Sequence, residues 1–313
     1  MTIACMERYA SGGLEDPRSS SRMSRTHPLD RTGFTLTELM VVISVVGVLL
    51  SFLIVSLSNV QGSAQATVDL TNQGQIVKAN NTFALDNKGR LFHPRTNDEL
   101  YTGDLNDEAR DRMWVRDYAY SDPGNIDSST GWGTVEALNE GAAWDYIGNA
   151  DIYKSPLDPT LRLRSYSLNS FIGVNKGADD NSTYGTVTPP PYLGSNYLPC
   201  PTVTGIRQPS RTMGCIIEEN QDGNGDVTNN LHGFLVHPGT GTGVFIPYWI
   251  DAPAIDWDPG KVHLAFMDGS TYTYVLSDYK QLSDDLVGGG ETSIASPDYI
   301  FFRDIMLPGR LSQ

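Results

Sequence analysis

The sequence predicts an α+β protein: a long amino-terminal helical spine, membrane-spanning in its first half, packed against a globular domain with an antiparallel β-sheet. Three observations predict it. Residues 39–57 form an uncharged apolar run, the residues after it keep small and apolar side chains at helical spacing, and from Tyr153 onward short β-rich stretches are separated by turn residues. The expected organisation is a leader at 1–33, a transmembrane half-helix at 34–57, an amphipathic half at 58–89 and a globular α+β domain at 90–313.

The apolar run reads LMVVISVVGVLLSFLIVSL, nineteen residues. At 1.5 Å per residue it covers roughly 29 Å, the thickness of a bilayer's hydrocarbon core. It runs on into helix-compatible sequence without a small-residue cleavage site, unlike a secretory signal peptide. Over residues 18–33, Arg18, Arg22, Arg25 and Arg31 outnumber the single acid Asp30. Positive residues stay on the cytoplasmic side, so the leader is expected inside and the rest of the chain beyond the membrane. Met23 is a second candidate start and would leave a short basic leader.

Val60, Ala64, Val68, Ile76, Ala79 and Phe83 extend the spine with one packing face. Lys88-Gly89 supplies a stop, a cation followed by a residue able to take the left-handed cap. A helix over 34–87 would be about 80 Å long if unbroken, with Gly62 and Gly74 as places where it could bend. Beyond it, helices are expected around 107–118 and 135–147. Trp114, Trp132 and Trp144 suit packing better than a carbohydrate platform. Strands are expected at 165–169, 212–218, 233–237, 262–267 and 270–276, the last two forming a hairpin around a two-residue Asp268-Gly269 turn.

Composition narrows the function. A net charge of -15 and a pI of 4.6 exclude broad phosphate-backbone binding, so no nucleic acid partner is expected. With Cys5 in the leader, Cys200 and Cys215 remain as either a candidate disulfide or two buried thiols. Asn220, Asp222, Asn224 and Asp226 place oxygens at alternate positions, a spacing that calcium loops use; Val227 and Gly233 stand where an EF-hand needs Gly and Glu. A polar Gly-rich turn is the competing reading, and Ca²⁺ is the one cofactor the sequence raises. His232, His237 and His263 have no metal-ligand spacing, and His263 reads as structural. No converging nucleophile and base are legible, so the chain is not expected to be an enzyme.

The junction Gly33-Phe34-Thr35-Leu36-Thr37-Glu38-Leu39 is the sharpest signal. It resembles the prepilin-type cleavage and methylation family of type IV pilins and type II secretion pseudopilins: a Gly, a Phe, a Glu five residues into the mature chain, then a long apolar helix. The resemblance implies cleavage after Gly33 by a prepilin peptidase and N-methylation of Phe34 by the same peptidase/methyltransferase. It also implies assembly with other pseudopilin subunits on an inner-membrane platform, and a home in the bacterial cytoplasmic membrane with the body in the periplasm. Glu38 stands out physically as well, because a carboxylate at the edge of an apolar span costs about 2–3 kcal/mol unless paired. The family mechanism pairs it with the Phe34 amine of a neighbouring subunit.

Weaker similarities follow. Residues 83–91 look like the end of the pseudopilin spine. Lys154-Ser155-Pro156-Leu157-Asp158-Pro159 with Ser165-Tyr166-Ser167-Leu168-Asn169, residues 206–218 and residues 262–270 are similar to a pseudopilin subfamily with a His, nine residues, then Asp-Gly; Asp258 stands at the His position. A membrane-anchored glycan-binding module or hydrolase, using the helix only as a tether, is the alternative from another class.

Overall fold

The computed structural model describes residues 33–96, 107–116, 135–159, 163–174, 200–219, 233–237, 248–249, 251–287, 292–293 and 295–307. The chain divides into two compact units, one up to Ile54 and one from Val55. Helix α1, Leu36–Asp86, runs through both. In the first unit it is an apolar helix with every described side chain exposed.

In the second unit, Asp69 is the first buried residue of α1 among those described, and Asn72, Gln73, Ile76, Val77, Ala79, Asn80, Phe83 and Ala84 follow on the same side. That spacing of three and four residues is one helical face. The helix stops where the Lys88-Gly89 pair predicts, but the first left-handed residue is Lys88 (φ 58°), with Gly89 (φ 82°) after it. Gly89 N–H returns to Ala84 O at 2.7 Å, the six-to-one bond of a Schellman end, which satisfies a carbonyl that the helix leaves open.

Short helices follow: α2 at Asp107–Arg110, α3 at Val135–Asn139 and α4 at Trp144–Ile147. The single helix expected over 135–147 is broken at Gly141. A Cβ there would lie 2.3 Å from Trp114 O, so only glycine lets the chain press onto that backbone. Trp114 is buried and Trp144 half-buried, both beside Tyr153 with ring centroids 5.9 and 6.4 Å away. They pack the interior, as expected; Trp132 lies outside the described residues.

The main sheet has four antiparallel strands in the order β1-β2-β5-β6: β1 Tyr166–Leu168, β2 Met213–Ile217, β5 Lys261–Phe266 and β6 Thr271–Val275. A separate pair joins β3, Val236–His237, to β4, Tyr248–Trp249. Four of the expected strands fall in the main sheet and the 233–237 stretch supplies β3; β4 was not foreseen, because two residues carry no period.

The β5–β6 hairpin closes differently from the expected two-residue turn. Phe266 N–H bonds Ser270 O and Gly269 N–H bonds Phe266 O, both at 2.8 Å. Met267, Asp268 and Gly269 thus form a three-residue loop, and positive φ is confined to Gly269 (85°), the conformation of a turn closed by a glycine bulge.

Side chains alternate across strands, so the two faces of the hairpin have different neighbours. Thr271, beside Gly74 of the spine, marks one face, and Tyr272 and Tyr274 mark the other. There α6, Pro297–Met306, lays Phe301 flat on Tyr274 with centroids 3.9 Å apart. The sheet is therefore sandwiched between the spine and α6.

Neither α6 nor α5, Tyr279–Val287, is among the elements expected from the sequence. Both carry legible starts: Ser296-Pro297-Asp298 puts a cap, a proline and an acid in order, and Asp278 Oδ1 accepts from Gln281 N–H at 3.0 Å.

Candidate functional site

The junction residues Gly33, Phe34 and Thr35 precede the first helical turn and are exposed, Phe34 by 82%. Among the described residues nothing lies within 4 Å of a Cβ built at Gly33, so none of them crowds this backbone. Thr35 and Glu38 form a capping box. Glu38 N–H bonds Thr35 Oγ1 at 3.2 Å, while Glu38 Oε2 accepts from both Thr35 N–H and Thr35 Oγ1 at 2.8 Å. The reciprocal bonds satisfy two groups that a helix start otherwise leaves unpaired. Within one chain, then, the carboxylate already has a partner, and that partner is Thr35. This role was missed in the sequence although the Thr-x-x-Glu pattern announces it.

From Leu36 to Ile54 the helix has a mean hydropathy of 2.4 over nineteen residues and none of the span is buried. An apolar surface of that extent is not left in water by a folded protein, so it requires lipid or other apolar helices around it.

The remaining sequence candidates separate. Asn220, Asp222, Asn224 and Asp226 lie outside the described residues. Near the start of that segment Glu218 is fully buried, and Asp251 accepts from Leu235 N–H at 2.6 Å. Burial, and then the Glu218 charge, hold the Asp251 carboxyl well above the ordinary value. Among the described residues no group of three His, Cys, Asp or Glu side chains is arranged around a metal position.

In the structure Cys200 and Cys215 are both buried free thiols, the second of the two arrangements that the sequence leaves open. Cys215 is on β2 in the main core, whereas Cys200 belongs to a smaller cluster with Ala84 and Leu91 and donates to Thr202 O at 3.0 Å. Burial pushes both thiols up.

His263 is buried on β5, with Nδ1 3.1 Å from Thr273 Oγ1 and Nε2 3.1 Å from Asp258 Oδ2. Asp258 also holds Lys261 Nζ at 3.2 Å. The other motif blocks are internal fasteners. Ser165 donates to Asp158 at 2.5 Å, Tyr166 donates to Asp69 of the spine at 2.8 Å, and Asn169 donates to Met213 O at 2.9 Å and Met306 O at 2.7 Å.

Residues 29–54 match the family described as the prokaryotic N-terminal methylation motif. The match covers the junction and the apolar helix together, and it defines the amino terminus as a prepilin-type segment, the kind found on pilin-like proteins. Comparison with curated proteins gave no match, and comparison with solved structures gave none. The chain is thus an α+β protein that carries a prepilin-type methylation segment at residues 29–54, with an apolar helix long enough for membrane anchorage.

Proposed function

We propose that this protein is a structural subunit of a type II secretion pseudopilus or type IV pilus-like filament. In this reading a prepilin peptidase cuts after Gly33 and methylates Phe34. The leader lies in the cytoplasm, the body in the periplasm, and the apolar helix passes from the bacterial inner membrane into the filament. The observation that carries it is the fully unburied apolar helix that begins two residues after an open Gly33-Phe34 bond, within the matched motif.

Glu38 then has two successive partners. In the membrane Thr35 holds it within the chain. On assembly, the new amine of Phe34 on an adjacent subunit offers a full positive charge in an apolar setting, where a charged donor outcompetes a hydroxyl and an amide. The partners are the peptidase, further pseudopilin subunits and the inner-membrane assembly platform; catalysis is no part of the role.

Mass spectrometry of the amino terminus, on protein from the native host, tests the reading. Methylated Phe34 as the first residue is the expected result. An intact leader in all material would reduce the helix to a tether and end the proposal. Glu38→Ala should enter the membrane normally and fail to join filaments.

A further inference from the structure

The lower end of the contact between spine and body is polar, and the upper end is apolar. Along α1 the first docked residues are Asp69, Asn72 and Gln73; Ile76 and Val77 follow. Asn72 Nδ2 reaches Asp151 O at 3.4 Å and Lys154 O at 3.2 Å, and Gln73 Nε2 reaches His263 O at 3.1 Å. At the centre lies the fully buried Asp69 carboxylate, which accepts from Tyr166 OH at 2.8 Å and Gln73 Nε2 at 2.9 Å, with the Ser155 hydroxyl as a third donor.

All three donors are neutral. A buried carboxylate ordinarily pairs with Lys or Arg, because hydrogen bonds from neutral groups do not replace the lost hydration of a full charge. Among the described residues the charge-bearing groups facing Asp69 are Tyr166 from β1, Cys215 from β2 and His263 from β5. Beyond them, Arg164 acts on Cys215 and donates to Tyr166 O at 3.1 Å, and Asp258 holds the far nitrogen of His263. Tyr166 and Cys215 supply no positive charge in any protonation state, which leaves His263 as the one facing group that can.

We propose that Asp69 is a proton-operated latch between spine and body: protonated, it holds the first docked turn of the spine against the sheet, and ionised, it lets that turn loosen while the apolar contacts from Ile76 onward stay in place. Burial pushes the Asp69 carboxyl above its ordinary value of 3.8, against the pull of its donors and of His263. The docked state therefore keeps a proton that the open state releases. Docking of this turn is strongest below 3.8 and weakens as pH rises to the docked-state value, above which it levels off.

The test is amide hydrogen exchange on the detergent-solubilised full chain, titrated from the ordinary Asp value of 3.8 upward to neutral. Protection of the amides between Asp69 and Gly74 should fall by up to about tenfold per pH unit and then level off, while those between Ile76 and Ala84 stay constant. Asp69→Asn should abolish the fall. Tyr166→Phe removes a donor that favours the charged form, so it should move the levelling point to higher pH; this variant decides the matter if Asp69→Asn does not fold. An unchanged fall in Asp69→Asn, an unmoved levelling point in Tyr166→Phe, or equal pH response along the whole docked helix would overturn the latch.

Discussion

Gly214 of β2 lies against Val77 of the spine so closely that a Cβ on residue 214 would stand 2.8 Å from Val77 Cγ2 and 2.9 Å from Met267 Sδ. The branched valine has little room to yield, though the methionine can move. Gly214→Ala is expected to destabilise the body by about 1–3 kcal/mol, read as a lower midpoint in chemical denaturation. At Gly74 the nearest atom to an added Cβ is Thr271 Cγ2 at 3.3 Å, a contact a small shift relieves. Gly74→Ala also recovers about 1 kcal/mol of helix propensity, so it should be close to neutral.

Asn169 fastens α6 to the sheet. Its amide donates to Met213 O and Met306 O, and its Oδ1 accepts from Phe171 N–H at 2.9 Å. Asn169→Ala strands buried backbone groups and should cost at least about 2 kcal/mol. Asn169→Asp keeps the shape and loses both donors, so it should be no better than the alanine. Limited proteolysis of the carboxy-terminal region should accelerate in both; an unaltered digestion pattern would contradict the fastening role.

Alkaline pH should unlock the body through its tyrosines. Burial, followed by the hydrogen bond to Asp298, pushes the Tyr274 phenol up to about 12 from 10.0, and burial also raises Tyr153, Tyr166 and Tyr299. In the unfolded chain these phenols ionise first, so stability is intact below 10.0 and falls as pH rises from there to about 12. The melting temperature should drop across that window, in step with tyrosinate absorbance. Tyr274→Phe should make the drop shallower.

Thiol labelling checks the cysteines. Under native conditions an alkylating reagent should leave Cys200 and Cys215 unmodified, since both are buried and both thiols are raised. Denaturation without any reductant should expose both for labelling. Failure of both to label until reductant is added would mean a disulfide.

Several elements were legible because their signals are local. The spine reads from an uncharged run and a helical stripe, its end from Lys88-Gly89, and the hairpin from Asp268-Gly269 between β-rich stretches. The capping box and the starts of α5 and α6 are equally local, in Thr35-x-x-Glu38, Asp278 and Ser296-Pro297-Asp298. The break at Gly141 was not open to such reading. It depends on the Trp114 carbonyl, a neighbour far away in sequence.

The sequence by itself determined that this chain has a prepilin-type segment and an apolar helix long enough to cross a membrane, because the motif and a span of hydrocarbon thickness are written in consecutive residues. Only the tertiary structure decided that Asp69 is buried without a lysine or arginine partner among the described residues, and that Cys200 and Cys215 remain apart. It also assigned Tyr166 and Asn169 to opposite attachments, one to the spine and one to α6. Burial and pairing depend on which distant segments meet, and that comes from packing the whole chain at once.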